Sequence, residues 1–184
     1  MNTDLTSRQY DDALALCRHI FAAKAGDYGP SWRVLRPQAV TDQLYIKAKR
    51  IRTLQTEAAK VNEGILPEFM ALVNYGIMGV IQLRLGYADH KDMDTPAAMK
   101  LYDEVAAEAK KLMMAKNHDY GEAWRDMRVL SYVDLILAKI MRIKEIEDNA
   151  GIVEVSEGID ANYFDIINYA IFGIIKLHKD TSVD

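Results

Sequence analysis

Cysteine and histidine are both scarce in this chain. Its 184 residues include one cysteine and four histidines. A single thiol, Cys17, cannot form an internal disulfide, and its place in a helical pattern indicates a small buried hydrophobe in a reduced compartment. The histidines have no partners at the spacing of metal ligands, which argues against a zinc site.

Long hydrophobic runs and the short motifs of common enzymes are also missing. The most apolar segments, 69–83 and 163–177, are short for membrane spans and are interrupted by Asn74 and Asn168, so we expect buried core helices. No apolar signal peptide opens the chain, and we therefore expect a cytoplasmic protein with no membrane partner. P-loop, GxGxxG, HExxH and paired CxxC motifs are all absent.

Neither sign of charge dominates the composition. Lysine and arginine total 23, aspartate and glutamate total 27, and half of the residues are hydrophobic, which is typical of a globular protein. A net charge of -4 gives no general attraction to nucleic acid, so any anion binding must be local. Polynucleotide binding would rest on one locally basic stretch, which comprises Arg33, Arg36, Lys47, Lys49, Arg50 and Arg52.

An internal repeat is the strongest feature that the sequence does contain. Displaced by 92 residues, the segment 24–36 lies over 116–128 with seven of thirteen positions identical. The match continues downstream, with a two-residue slip before the third helix. The further pairs are Lys47 with Lys139, Arg50 with Arg142, Asn74 with Asn168, and Tyr75 with Tyr169.

Each repeat shows the periodicity of three helices. We predict an all-α fold, a six-helix bundle built from two tandem three-helix repeats that are related by a pseudo-twofold axis. Residues 1–92 form the first repeat and 93–184 the second, packed as one compact pseudo-dimeric domain. The predicted helices lie near residues 6–23, 41–61, 67–86, 96–116, 131–148 and 160–179. We also predict a capping box at Thr6, a turn over 26–30 and a short helical piece that ends at Pro37. Residues 152–155 could form a small extended segment.

The second helix of each repeat places a lysine inside an apolar stripe. At about 100° per residue, Lys47 and Lys139 fall among aliphatic positions, and Arg50 and Arg142 lie at the edge of each stripe. A lysine in such a face costs several kcal/mol unless its ammonium group reaches water or meets an anion. We therefore expect each lysine to have a negative partner, either a protein carboxylate or a ligand phosphate.

The third helix carries a polar residue in its apolar face as well. Asn74 and Asn168 interrupt this face, and Asp165 precedes Asn168 by three residues, whereas the first repeat has Ala71 at that position. The candidate protein partners of the lysines are Asp165, Glu157 and Glu63.

A short segment after the first helix concentrates residues that bind phosphates and bases. It combines cations, a carboxylate, two aromatic rings and a glycine turn, and loops of this kind more often bind than pack. Arginine and lysine suit phosphates, tyrosine or tryptophan suits a base, and an acid suits Mg²⁺. The residues are Lys24, Asp27, Tyr28, Trp32, Arg33 and Arg36 in the first repeat, and Lys116, Asp119, Tyr120, Trp124, Arg125 and Arg128 in the second.

At these residues the chain resembles a known family, nucleotide modification associated domain 1, whose members are uncharacterised bacterial and phage proteins. The tandem copies cover nearly the whole chain, and Ala71 departs from the pattern by lacking the acid. The resemblance implies a link to modified nucleotides without an established reaction. It is carried by Lys24, Asp27, Tyr28, Gly29, Trp32, Lys47, Arg50, Asn74 and Tyr75, and by Lys116, Asp119, Tyr120, Gly121, Trp124, Lys139, Arg142, Asp165, Asn168 and Tyr169.

A looser similarity is to the all-α nucleoside triphosphate pyrophosphatases, which hold Mg²⁺ on helix carboxylates. Their paired acidic motifs are not reproduced in both repeats. We expect a helical protein that binds a nucleotide or another small phosphate compound, and that forms a homo-oligomer. One alternative adds Mg²⁺-dependent hydrolysis or modification of the nucleotide, with Asp165 and Glu157 as catalytic and metal-binding residues. The other is a non-catalytic scaffold whose inward polar residues only set the helix register.

Overall fold

The computed structural model describes residues 3–56 and 62–180. These residues form six α-helices and no strand, which confirms the predicted all-α bundle. A short 3₁₀ helix follows the first helix of each repeat. In chain order the elements are α1 (Thr3–Tyr28), the first 3₁₀ helix (Ser31–Val34), α2 (Pro37–Thr56), α3 (Asn62–Leu85), α4 (Thr95–Tyr120), the second 3₁₀ helix (Ala123–Asp126), α5 (Val129–Asp148) and α6 (Ile159–Asp180).

Local chemistry explains both ends of α4. Asp94 lies at the N-cap, where its carboxylate accepts a hydrogen bond from the backbone N–H of Ala97 at 2.9 Å. Pro96 follows in the first turn, where proline is tolerated because the backbone N–H groups of this turn make no hydrogen bond within the helix. Gly121 ends the helix with φ at 60°, a left-handed conformation that glycine adopts without strain.

Several predicted boundaries are wrong. α1 begins before Thr6, which is a buried residue within the helix and not its cap, and α1 continues into the predicted turn as far as Tyr28. Pro37 begins α2 because proline is tolerated at the first helical position. Residues 152–155 contain no strand. The predicted end of the second helix near residue 61 lies outside the described residues.

α3 and α6 lie against each other at the centre of the bundle. α2 packs on α3 as α5 packs on α6, and α1 and α4 cover the remaining sides. One stretch, Gly64–Leu85, is long and apolar enough to cross a membrane, but 67% of its apolar window is buried inside the protein. It is therefore a core helix, as predicted.

Glycines allow α3 and α6 to approach closely. A Cβ atom on Gly79 would lie 2.9 Å from the ring of Tyr163, and one on Gly173 would lie 2.7 Å from the ring of Phe69. Phe69 and Tyr163 are equivalent positions of the two repeats, so the contacts are reciprocal. A twofold relation between the repeats produces such contacts. The pseudo-twofold axis and the division at residue 92 stay predictions.

Gly173→Ala should destabilise the protein by about 1–3 kcal/mol, because the new methyl group would meet the fully buried ring of Phe69. Urea unfolding followed by circular dichroism measures the change in free energy. The matched control is Gly26→Ala within α1, where nothing lies within 4 Å of the added atom and alanine should stabilise by about 0.4–1 kcal/mol. Equal effects of the two substitutions would contradict the close packing of α3 on α6.

Candidate functional site

Lys139 meets a carboxylate from within the apolar face of α5. Its Nζ lies 2.7 Å from Asp165 Oδ2, and Lys116 Nζ donates to Asp165 Oδ1 at 2.6 Å. The side chains of Lys139 and Asp165 are only 15% and 12% exposed, so each charge needs the other. Burial raises the pKa of Asp165, but the hydrogen bonds and charges of the two lysines outweigh it and hold that pKa below its ordinary value.

The first repeat places its acid one helical turn earlier. Ala71 corresponds to Asp165, and the carboxylate comes from Glu68, three residues before it. Glu68 Oε1 accepts a hydrogen bond from Arg50 Nη1 at 2.6 Å, whereas its Oε2 lies 3.6 Å from Lys47 Nζ. Glu68 is buried, and its Oε2 has no hydrogen-bond partner within the described part of the chain. Glu68 therefore pairs mainly with Arg50.

This shift changes which cation lacks an acid. Lys24, the counterpart of Lys116, makes no hydrogen bond or ion pair with any described residue. In the second repeat Asn162 replaces Glu68, and it is Arg142 that has no such partner among residues 3–56 and 62–180. Both repeats thus hold the same three cations and one acid in different arrangements.

Two cavities lie at equivalent places in the two repeats. The first cavity has a volume of about 460 Å³ and the second about 280 Å³. Every residue that lines the second has a repeat counterpart that lines the first. The shared positions are Phe21, Lys24, Ala25, Tyr28, Ser31, Trp32, Leu35, Ala71, Asn74, Tyr75 and Met78 in the first cavity, and Met113, Lys116, Asn117, Tyr120, Ala123, Trp124, Met127, Asp165, Asn168, Tyr169 and Phe172 in the second.

Two side chains of α6 occupy space in the second cavity. The ring of Phe172 stacks on Trp124, with centroids 4.4 Å apart and planes 7° apart, and Asp165 extends toward the lysines. The first cavity has the narrower Met78 and the short Ala71 at these positions. The first cavity also extends further along the bundle, and Lys47 and Glu68 join its lining.

Asn74 and Asn168 are each held by a tyrosine from the other repeat. Tyr102 Oη donates to Asn74 Oδ1 at 2.8 Å, and Tyr10 Oη donates to Asn168 Oδ1 at 2.8 Å. Each asparagine Nδ2 also donates to a backbone carbonyl of its own repeat, at 3.0 and 3.1 Å. These asparagines line the cavities, and their hydrogen bonds fix the position of α3 and α6 beside α1 and α4.

The arginines of the two 3₁₀ helices are bound by protein acceptors. Arg33 is buried, and its Nε lies 2.9 Å from an oxygen of Asp92. Arg125 Nε lies 3.0 Å from Glu122, and Arg125 Nη1 donates to Gln9 at 2.9 Å. Both guanidinium groups, expected to hold phosphates, thus anchor the turns that carry the tryptophans.

A second pair of equivalent residues also fastens the 3₁₀ helices. Gln82 Nε2 lies 2.6 to 3.3 Å from three carbonyl oxygens of residues 32–35. Its counterpart Lys176 donates to the carbonyl oxygens of Arg125 and Met127 at 2.7 and 2.5 Å. The tryptophan walls of both cavities are therefore positioned by α3 and α6.

Most remaining predicted residues lie at the surface. Tyr28 and Tyr120 stand at the cavity mouths, 50% and 74% exposed, and Tyr75 and Tyr169 are partly buried in the cavity walls. The exposed residues that line neither cavity are Asp27, Asp119, Arg36, Arg128 and Glu157. The side chain of Glu63 lies outside the described residues.

No cluster of three His, Cys, Asp or Glu side chains suited to a metal ion occurs in the described ranges. Both oxygens of Asp165 already face ammonium groups, and a cation there would have to displace them. Glu157 is exposed. Burial lowers the pKa of Lys116, but Asp165 and the negative charge of Glu157 outweigh burial and raise that pKa above its ordinary value. The Mg²⁺ site therefore stays a prediction.

The sequence reasoning missed Glu68 and Phe172. Extending the repeat alignment places Glu68 over Asn162 and Ala71 over Asp165, so each third helix carries one acid, displaced by one turn. That pattern was available in the sequence. The stacking of Phe172 on Trp124 was not, because it joins residues of different helices.

The fold and the site define a helical bundle with two equivalent cavities lined by lysine, tyrosine, tryptophan and asparagine. Residues 24–83 and 116–177 match the model of the family called nucleotide modification associated domain 1. Since the match covers more than half of the chain, the protein belongs to that family, as a tandem-repeat member. No curated protein and no solved structure matches the chain. Similarity to the all-α nucleoside triphosphate pyrophosphatases has no support in these comparisons.

The contribution of Asp165 to stability should depend on pH. Its lowered folded-state pKa means that its stabilisation is present above about pH 4 and is lost as the pH falls through that pKa. Asp165→Asn removes the charge at every pH, so we expect a loss of about 1–3 kcal/mol near pH 6 that shrinks toward pH 3. Urea unfolding of both proteins at each pH measures this difference.

The control is Asp119→Asn at an exposed position, which should change the free energy of unfolding by less than about 0.5 kcal/mol. A difference between wild type and Asp165→Asn that stays constant or grows toward low pH would contradict the pairing with the lysines.

Tyr10→Phe and Tyr102→Phe should each destabilise the protein by about 1–3 kcal/mol, because each leaves a buried asparagine oxygen without its donor. Thermal unfolding measures both effects, and Tyr87→Phe, at an exposed ring, is the control with little expected change. If only one of the two substitutions lowered the melting temperature, the two tyrosine-to-asparagine hydrogen bonds would not contribute equally to stability.

Proposed function

We propose that this protein binds a nucleotide or nucleoside phosphate, and that the first cavity is the binding site. The observation that carries this proposal is Lys24, a cation in the cavity lining that has no acidic partner among the described residues. Lys47 lies in the same lining, and Glu68, the acid 3.6 Å from its Nζ, is also hydrogen-bonded to Arg50. Lys24, Lys47 and Arg50 together exceed this single acid by two positive charges, which an anion would balance.

The size of the first cavity fits a ligand of this class. Small-molecule sites typically enclose about 300–1,000 Å³, and the first cavity, at about 460 Å³, lies within that range. The second cavity, at about 280 Å³, falls below it. Of the two equivalent cavities, volume therefore favours the first, although a further cavity of about 710 Å³ in the second repeat is lined by Lys139, Arg142 and Glu157.

The lining supplies aromatic surface and unsatisfied polar atoms. Phe21, Trp32 and Tyr75 provide rings against which a base could lie. Trp32 Nε1 and Glu68 Oε2 are buried, with no hydrogen-bond partner in the part of the chain that the structure describes, and Trp124 Nε1 in the second cavity is unpaired in the same way. Buried polar atoms in native proteins are rarely left unpaired, and a nucleoside offers both acceptors and hydroxyl donors.

The family supports the nucleotide class only in a general way. Its description associates the domain with nucleotide modification and names no reaction. A hydrolytic or modifying step assisted by Mg²⁺ stays a prediction, because Asp165 is engaged by two lysines. Cys17 is a buried free thiol, which is consistent with the proposed cytoplasmic location. A homo-oligomer also stays a prediction.

The competing function is a non-catalytic scaffold whose polar residues only fix the helix register. The second repeat favours it, since Lys116, Lys139 and Asp165 satisfy one another there. A thermal-shift screen of nucleoside mono-, di- and triphosphates, with and without Mg²⁺, separates the two functions. A ligand at 100 times its Kd adds about 2.7 kcal/mol to the free energy of unfolding, whereas a scaffold would show no shift.

Lys24→Ala should weaken nucleotide binding about 10- to 100-fold, because it removes one charge-assisted contact to the phosphate. The fold should be unaffected, since Lys24 is exposed and unpaired within the described residues. Isothermal titration calorimetry with the strongest nucleotide from the screen measures the affinity.

Lys49→Ala is the matched control, because Lys49 is an exposed cation outside the lining of the first cavity. It should bind like the wild type. Unchanged affinity in a folded Lys24→Ala protein would place the ligand elsewhere.

A further inference from the structure

We infer that Asp165 and Phe172 occupy, from within the chain, the places that the phosphate and the aromatic ring of the ligand take in the first repeat. The second cavity is then a self-filled copy of the binding site. This inference rests on the proposed function. It specifies that the ligand is a nucleoside monophosphate and that each chain has one binding site.

The anion position comes from the lysines of the second repeat. Lys116 and Lys139 converge on one carboxylate, with nitrogen-to-oxygen distances of 2.6 and 2.7 Å. Their counterparts Lys24 and Lys47 stand at the equivalent positions of α1 and α2, with Ala71 where the carboxylate would begin. A carboxylate and a phosphate offer the same kind of charged oxygen acceptor to ammonium donors. The first repeat therefore has both donors but no acid at the position of Asp165, and its own acid, Glu68, pairs with Arg50 and lies 3.6 Å from Lys47.

The ring position comes from the stacked pair in the second cavity. Phe172 lies parallel to Trp124 with centroids 4.4 Å apart, the geometry of two flat rings in contact. In the first cavity, which Trp32 also lines, the flexible, unbranched Met78 takes the corresponding position. Methionine adapts to neighbouring aromatic surfaces and can yield to a planar ring.

The charges of the first cavity fit a monophosphate. Glu68 is hydrogen-bonded to Arg50, which leaves the two positive charges of Lys24 and Lys47. A phosphate monoester carries about −1.5 to −2 at pH 7.

Exchanging the distinguishing residues between the repeats tests the inference. Variant one carries Glu68→Asn, Ala71→Asp and Met78→Phe, and variant two carries Asn162→Glu, Asp165→Ala and Phe172→Met. Calorimetry with AMP, GMP, CMP, UMP and dTMP should show one site in the wild type, an affinity lower by at least about 100-fold in variant one, and two sites in variant two. Circular dichroism confirms that each variant is folded.

The inference is overturned if folded variant two binds no more monophosphate than the wild type, or if folded variant one binds as tightly as the wild type. Single Asp165→Ala and Ala71→Asp proteins provide the same comparison if a triple variant does not fold. A wild type that binds a di- or triphosphate but no monophosphate would overturn the inference and leave the proposed function standing. A wild type that binds no nucleotide of any kind would overturn both.

Discussion

A lysine set into an apolar helix face has to meet a negative charge, and the third helix of each repeat supplies one. In the second repeat Asp165 lies between Lys116 and Lys139 and forms an ion pair with each of them. In the first repeat Glu68 lies one turn earlier and binds Arg50, so Lys24 is left without an acid among the described residues. The acids of the two repeats, placed one turn apart, thus leave two equivalent cavities with different charges and different volumes.

The two repeats depend on each other even though each has its own cavity. The asparagine in each cavity wall is held by a tyrosine from the other repeat, and the glycines of α3 and α6 each admit a ring from the opposite helix. Close contact between α3 and α6 therefore sets the shape of both cavities. The two cavities therefore differ in their lining while they share one framework of helices.

The sequence alone predicted the helical class, the repeats and the partly buried lysines, because helical periodicity and internal similarity can be read directly from the order of the residues. It also placed Asn74 and Asn168 in apolar faces, where both are buried. It was wrong about the start of α1 and the role of Pro37. Arg33 and Arg125 were expected to hold phosphates, but both are bound to protein acceptors that lie far away in the chain.

By itself, then, the sequence determined a duplicated helical bundle in which each second helix carries a lysine on its inner face. Only the tertiary structure decided which acid each lysine meets and which of the two equivalent cavities is larger. The physical reason is that an ion pair between helices depends on side-chain reach across the interface, where a displacement of one turn changes the partner. Neither the stacking of Phe172 on Trp124 nor the pairing of Asp165 with two lysines can be read from spacing along the chain.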